Sequence, residues 1–75
     1  MWKVTIYCSA EAWKAQATAF REIVDKYPGK LLSSRKTRGD EKRIMEYELE
    51  DANDAELMMQ ECMTLEGFMA NFEST

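Results

Sequence analysis

Residues 68–74, Phe68-Met69-Ala70-Asn71-Phe72-Glu73-Ser74, alternate weakly between apolar and polar side chains. Alternation at a period of two marks a strand with one covered face, because successive side chains point to opposite sides of a sheet. Read as a short edge strand, the segment completes a βαββαβ order. Read as a frayed extension of the helix before it, it leaves βαββα on three strands. Gly67 just ahead is a natural helix stop, and the strand is the expectation.

Working back from there, Ala55, Met58, Cys62 and Leu65 recur at helical spacing. Asn53 to Glu56 has the spacing of a capping box and predicts the start of that helix. Arg43 to Glu50 reads as a strand, with Met45, Tyr47 and Leu49 on a core face and Ile44, Glu46, Glu48 and Glu50 on a wet, acidic one. It pairs with a strand from Lys30 to Thr37 around the polar tip Arg38-Gly39-Asp40-Glu41, a hairpin signal with a loop longer than two residues. Residues 10–27 contain neither Gly nor Pro. There Trp13, Ala17, Phe20, Val24 and Tyr27 form an apolar stripe widened by Ile23. Ser9 is placed to cap this helix, and Pro28-Gly29 to end it, with the glycine suited to a left-handed turn. The N-terminal strand, Trp2 to Cys8, puts Trp2, Val4, Ile6 and Cys8 on one face and Lys3, Thr5 and Tyr7 on the other.

Two right-handed crossovers and one hairpin in this order place both helices on one face of a four-stranded antiparallel sheet. The prediction is therefore an α+β, ferredoxin-like two-layer sandwich. Seventy-five residues suffice for one such domain over 1–75 and leave no room for a second core. Apolar residues at 45% and charged residues at 32% exclude a disordered chain. No apolar run approaches the ~20 residues of a membrane span, and the N-terminus has no signal-peptide stretch, so a cytoplasmic protein is expected.

Charge divides unevenly. Residues 1–39 carry eight basic and three acidic side chains, +5, and residues 40–75 carry two and eleven, −9, which together make the net −4. In a small α/β fold the halves interleave, so local neutralisation is the expectation rather than a polar molecule.

The residues argue against most catalytic chemistry. Without histidine the chain lacks the commonest general base and metal ligand. Cys8 stands alone at the first strand–helix junction, where a soft-metal chelate needs two thiolates, and its register with Val4 and Ile6 reads as a buried small hydrophobe. The same turn, Ser9-Ala10-Glu11, lacks the arginine of a phosphate-binding nest and brings a carboxylate instead. Base stacking on the sheet face would find Tyr7 but also Glu46 and Glu48, which oppose a phosphate backbone. The expectation is no enzyme, no cofactor and no metal. The triplet Arg38-Gly39-Asp40 matches an integrin-recognition sequence, but three residues are a weak signal and it is read as coincidence.

Candidate interaction residues form two groups. Tyr7 and Ile44, on a largely open sheet face, and Met59 and Met63, beside the second helix's stripe, are the candidates for a protein partner or a second copy. Arg35, Lys36, Arg38, Lys42 and Arg43 cluster near the hairpin tip and are the alternative, a nucleic-acid contact, against the plainer role of edge protection. In length and strand order the whole chain resembles regulatory ACT-type domains at the level of pattern. That resemblance implies pairing through sheet edges or helices. The amino-acid sites of that family resemble an Asp, Pro and Gly turn after the first strand; here the turn is Cys8-Ser9-Ala10, so no binding residue is carried over. A non-catalytic binding or regulatory module, a homodimer or protein binder, is the resulting expectation, with ligand sensing at a dimer interface as a further alternative.

Overall fold

The computed structural model describes residues 1–37, 39 and 42–74. Its elements run β1 (Trp2–Cys8), α1 (Ala10–Asp25), β2 (Lys30–Lys36), β3 (Arg43–Leu49), α2 (Ala52–Met63) and β4 (Phe68–Ser74). The four strands form one antiparallel sheet in the order β2-β3-β1-β4, with the helices packed on one face. The segment 68–74 is therefore a full seven-residue edge strand, paired with β1 from Cys8↔Phe68 to Trp2↔Ser74.

The core lies between sheet and helices. Val4, Ile6 and Cys8 of β1, Met45 and Leu49 of β3 and Phe68 of β4 meet Ala12, Phe20 and Ile23 of α1 and Ala55, Met58 and Cys62 of α2, all buried. Phe20 is its hub, with ring centroids 5.6 Å from Trp13, 5.7 Å from Phe68 and 6.2 Å from Tyr47. Burying one such ring is worth roughly 1.5–3 kcal/mol. The helical and strand periodicities in the sequence meet here as one apolar layer.

Helix ends follow local hydrogen bonding. Ser9 caps α1, its Oγ accepting from the Ala12 N–H at 3.1 Å. The start of α2 differs from the capping-box expectation: Asp51, not Asn53, is the cap, its carboxylate accepting from the Asn53 N–H at 2.7 Å. Both side chains suit a cap. Starting at Ala52 gives the helix a full turn before Ala55, the first residue that must face the core. The exit of α1 also departs from expectation, since Gly29 is not left-handed. The chain closes through Lys26 N–H to Ile23 C=O and Tyr27 N–H to Val24 C=O, and Pro28 prevents continuation.

A β-bulge between Leu31 and Ser33 interrupts β2. The extra residue restores Ser33 and Arg35 to the face away from the helices, opposite Glu46 and Ile44 of β3. This edge strand is thinly covered, and Leu31 and Leu32 remain half exposed.

Candidate functional site

Among the described residues, the sheet face away from the helices carries no layer of secondary structure. Strand register arranges it in three rows across β2-β3-β1-β4. One row reads Arg35, Ile44, Tyr7, Met69; the next Ser33, Glu46, Thr5, Asn71; the third Lys30, Glu48, Lys3, Glu73. Ile44, Tyr7 and Met69 thus make an apolar bar across three strands, with Met69 69% and Tyr7 39% exposed. Exposed apolar groups side by side are more informative than the same groups scattered, because a contiguous patch favours contact.

Beside the bar, ion pairs run across the whole sheet. Arg35 Nη1 lies 3.2 Å from Glu46, whose other carboxylate oxygen is 3.7 Å from Lys3 Nζ, and Lys3 reaches Glu73 at 3.2 Å. The hydrogen bond to Glu73, with the charge of Glu46 behind it, raises the Lys3 ammonium above its usual range. The face expected to be acidic is locally balanced. Each of these pairs, and the Lys26–Glu61 pair between the helices at 2.8 Å, joins the basic first half of the chain to the acidic second half. Among the described residues the charge asymmetry is thus interleaved, as the small fold requires.

The four partner candidates divide between two layers. Tyr7 and Ile44 are directly opposite each other on the open face. Met59 and Met63 sit in the helix layer on the other side of the sheet, Met59 half-buried against the core and Met63 exposed. Met58, their neighbour, is simply core. The third member of the sheet-face bar, Met69, is not among the candidates the sequence pattern offers. The signal existed in its parity within β4, but only the pairing of β4 with β1 sets it beside Tyr7.

The hairpin cations do not form one patch. Arg35 points to the open face and is tied to Glu46. Lys36 and Arg43 are cross-strand partners on the opposite face, near Trp13. Lys42 lines a separate, mainly apolar cavity of about 320 Å³ with Tyr7, Cys8, Ser9, Gly67 and Met69. Arg38, like Asp40 of the Arg-Gly-Asp triplet, lies outside the described residues.

Both thiols are sealed in the core. Burial pushes the Cys62 thiol up to about 12, and burial likewise raises Cys8, partly offset by Arg43. A reactive cysteine requires the reverse shift. No group of three or more His, Cys, Asp or Glu able to hold a metal occurs among the described residues. No helix among them is long and apolar enough to cross a membrane.

No protein family and no curated protein matches the sequence. Among solved structures the chain is similar to a formyltetrahydrofolate deformylase from Pseudomonas putida KT2440, with a TM-score of 0.54 and 11% identity over 99% of this chain. The chain spans 28% of the length of that enzyme. The likeness is one of fold. By its element order, antiparallel sheet and one-sided helix layer, this chain is a ferredoxin-like α+β domain.

Proposed function

We propose that the chain is a small, non-catalytic binding and regulatory module of the cytoplasm that associates with a second copy of itself through the open sheet face. The observation that carries this reading is the sign pattern of the third row: Lys30 (+), Glu48 (−), Lys3 (+), Glu73 (−) across the four strands. A second copy turned about a two-fold axis along the strands sets β2 over β4 and β3 over β1. Lys30 then faces Glu73, Glu48 faces Lys3, and Ile44 faces Tyr7. Every charge in the row meets its opposite, and the apolar bar is covered. A two-fold axis across the strands instead lays each strand on its own copy and Lys30 over Arg35, like charge on like. Isologous contacts require such self-complementarity.

One further feature supports the reading. A chain of this size also exposes a large share of its surface, which association relieves. Four strands of seven residues give a footprint of roughly 19 by 23 Å, a small interface that predicts a micromolar, concentration-dependent dimer. A non-catalytic role is supported by the raised thiols and by two carboxylates of this face, Glu46 and Glu73, already engaged by Lys3 and Arg35.

Ligand sensing at the seam is the second reading. It is favoured by the cavity between Tyr7, Lys42, Gly67 and Met69, which adjoins the apolar bar and would open at the edge of such a dimer.

Sedimentation velocity from about 10 µM to about 1 mM tests the main reading. The chain should shift from monomer to dimer over this range. Tyr7→Glu and Met69→Glu should each abolish the shift, and Met63→Glu should leave it intact. A monomer throughout, or a dimer lost in Met63→Glu but kept in Tyr7→Glu, overturns it.

A further inference from the structure

On the helix side, at the hairpin end of β2 and β3, a cavity of about 270 Å³ is lined by Ala10, Trp13, Lys14, Lys36 and Arg43. We infer that this cavity binds a phosphate-bearing small molecule, recognised by the three cations of its lining, one of which, Arg43, is stacked on an aromatic platform. The inference is independent of the open face, since Lys36 and Arg43 belong to the core-side register of their strands.

The arrangement of charge points to an anion. The chain is acidic overall, yet the lining holds three basic side chains and no carboxylate. Among the described residues none of Lys14, Lys36 and Arg43 takes part in an ion pair, whereas Lys3, Lys26 and Arg35 all do. Lys36 and Arg43 stand directly opposite on adjacent strands. Like charges in that relation destabilise a sheet. A dianion between them turns the repulsion into attraction.

Geometry supplies the rest. The Arg43 guanidinium lies over the Trp13 ring, 4.6 Å from its centroid. Stacking holds the planar group in place while its N–H donors stay available in the fork that suits phosphate oxygens. Trp13 is itself fixed by its edge contact with Phe20 in the core. The platform is therefore built before any ligand arrives, and less order must be imposed on binding. Ala10 opens α1, whose N-terminal end adds positive potential. The nearby acid, Glu11, lines a different cavity with Ser9, Ala12, Glu66 and Gly67. Two ammonium groups and a guanidinium exceed what one carboxylate neutralises and match a phosphate monoester or diphosphate. A nucleic-acid strand needs a continuous track of cations. Arg35 on the far face and Lys42 in another cavity do not provide one.

The test uses the full chain with inorganic pyrophosphate and adenosine 5′-monophosphate as probes, followed by NMR at the Trp13 indole and by calorimetry. Both probes should shift the Trp13 indole N–H, with affinity falling as salt rises. The Lys14→Ala/Lys36→Ala double variant should weaken binding at least about tenfold, as should Arg43→Ala, while Arg21→Ala on the helix exterior should not. The proposal is overturned by no shift up to about 10 mM probe, or by unchanged affinity in the double variant. Binding of a single-stranded oligonucleotide that tightens with length and exceeds both probes would equally overturn it.

Discussion

Gly67 packs directly against Ala12: a Cβ at Gly67 would lie 2.6 Å from the Ala12 Cβ, and its φ of +83° is one that side chains rarely adopt. The contact brings the loop between α2 and β4 onto the first turn of α1, beside the Ser9 cap. Backbone strain and overlap act together, so Gly67→Ala should destabilise by about 2–4 kcal/mol. Gly39→Ala, with φ +90° but nothing within 4 Å, should lose only the backbone part, about 1 kcal/mol. Urea unfolding of the two variants checks the difference, and adding Ala12→Gly should recover part of the Gly67→Ala loss.

Tyr27 and Glu61 tie the end of α1 to α2. The Tyr27 hydroxyl donates to Glu61 Oε2, and Lys26 Nζ donates to Glu61 Oε1 at 2.8 Å. The Glu61 hydrogen bond pushes the Tyr27 phenol from 10.0 up to about 12, and Lys26 and then Tyr27 hold the Glu61 carboxyl below its ordinary 4.5. A raised acid stabilises the fold while it is protonated, so the Tyr27 contribution is intact below pH 10.0 and lost as pH climbs through about 12. The Glu61 contribution is intact above 4.5 and lost on acidification. Tyrosinate absorbance should place one phenol near 12, returning toward 10.0 in Glu61→Gln. Tyr27→Phe should cost about 1 kcal/mol at neutral pH, a deficit that narrows as the wild type is taken above pH 10.0.

Cys8 and Cys62 should resist alkylation. Both are buried, and burial raises both thiols, Cys62 to about 12, so the native fold disfavours the thiolate of each and closes off access to it. Iodoacetamide labelling should proceed only through opening and should rise in step with the fraction unfolded in urea. Rapid labelling of Cys62 in the native state would contradict its placement.

The architecture was legible because each element carries its own period: alternation in Trp2–Cys8 and Arg43–Leu49, three- and four-residue steps through Phe20 and Met58, and Pro28 between elements. Choosing between Asp51 and Asn53 as cap was not legible, since either side chain can accept from backbone N–H groups two or three residues ahead and only core contact at Ala55 separates them. The bulge at Leu32 left no local mark, and without it Arg35 would face the helices rather than Glu46. Tyr7 and Ile44 were legible as an open-face pair by parity. Met69 required the β1–β4 register, a contact between residues far apart in sequence. The same long-range pairing separates Met59 and Met63 from that face, and distributes hairpin cations that look clustered in sequence. Trp13 and Lys14 join Lys36 and Arg43 only through packing of α1 against the sheet.

Association through the open face has a direct spectroscopic signature. In a mixture of isotope-labelled and unlabelled chains, a filtered NOE experiment reads contacts between copies alone. The strand-parallel two-fold predicts cross-peaks from the Tyr7 ring of one copy to the Ile44 methyls of the other, disappearing on dilution. Cross-peaks between copies confined to Met59 and Met63, or none at about millimolar concentration, would contradict the account.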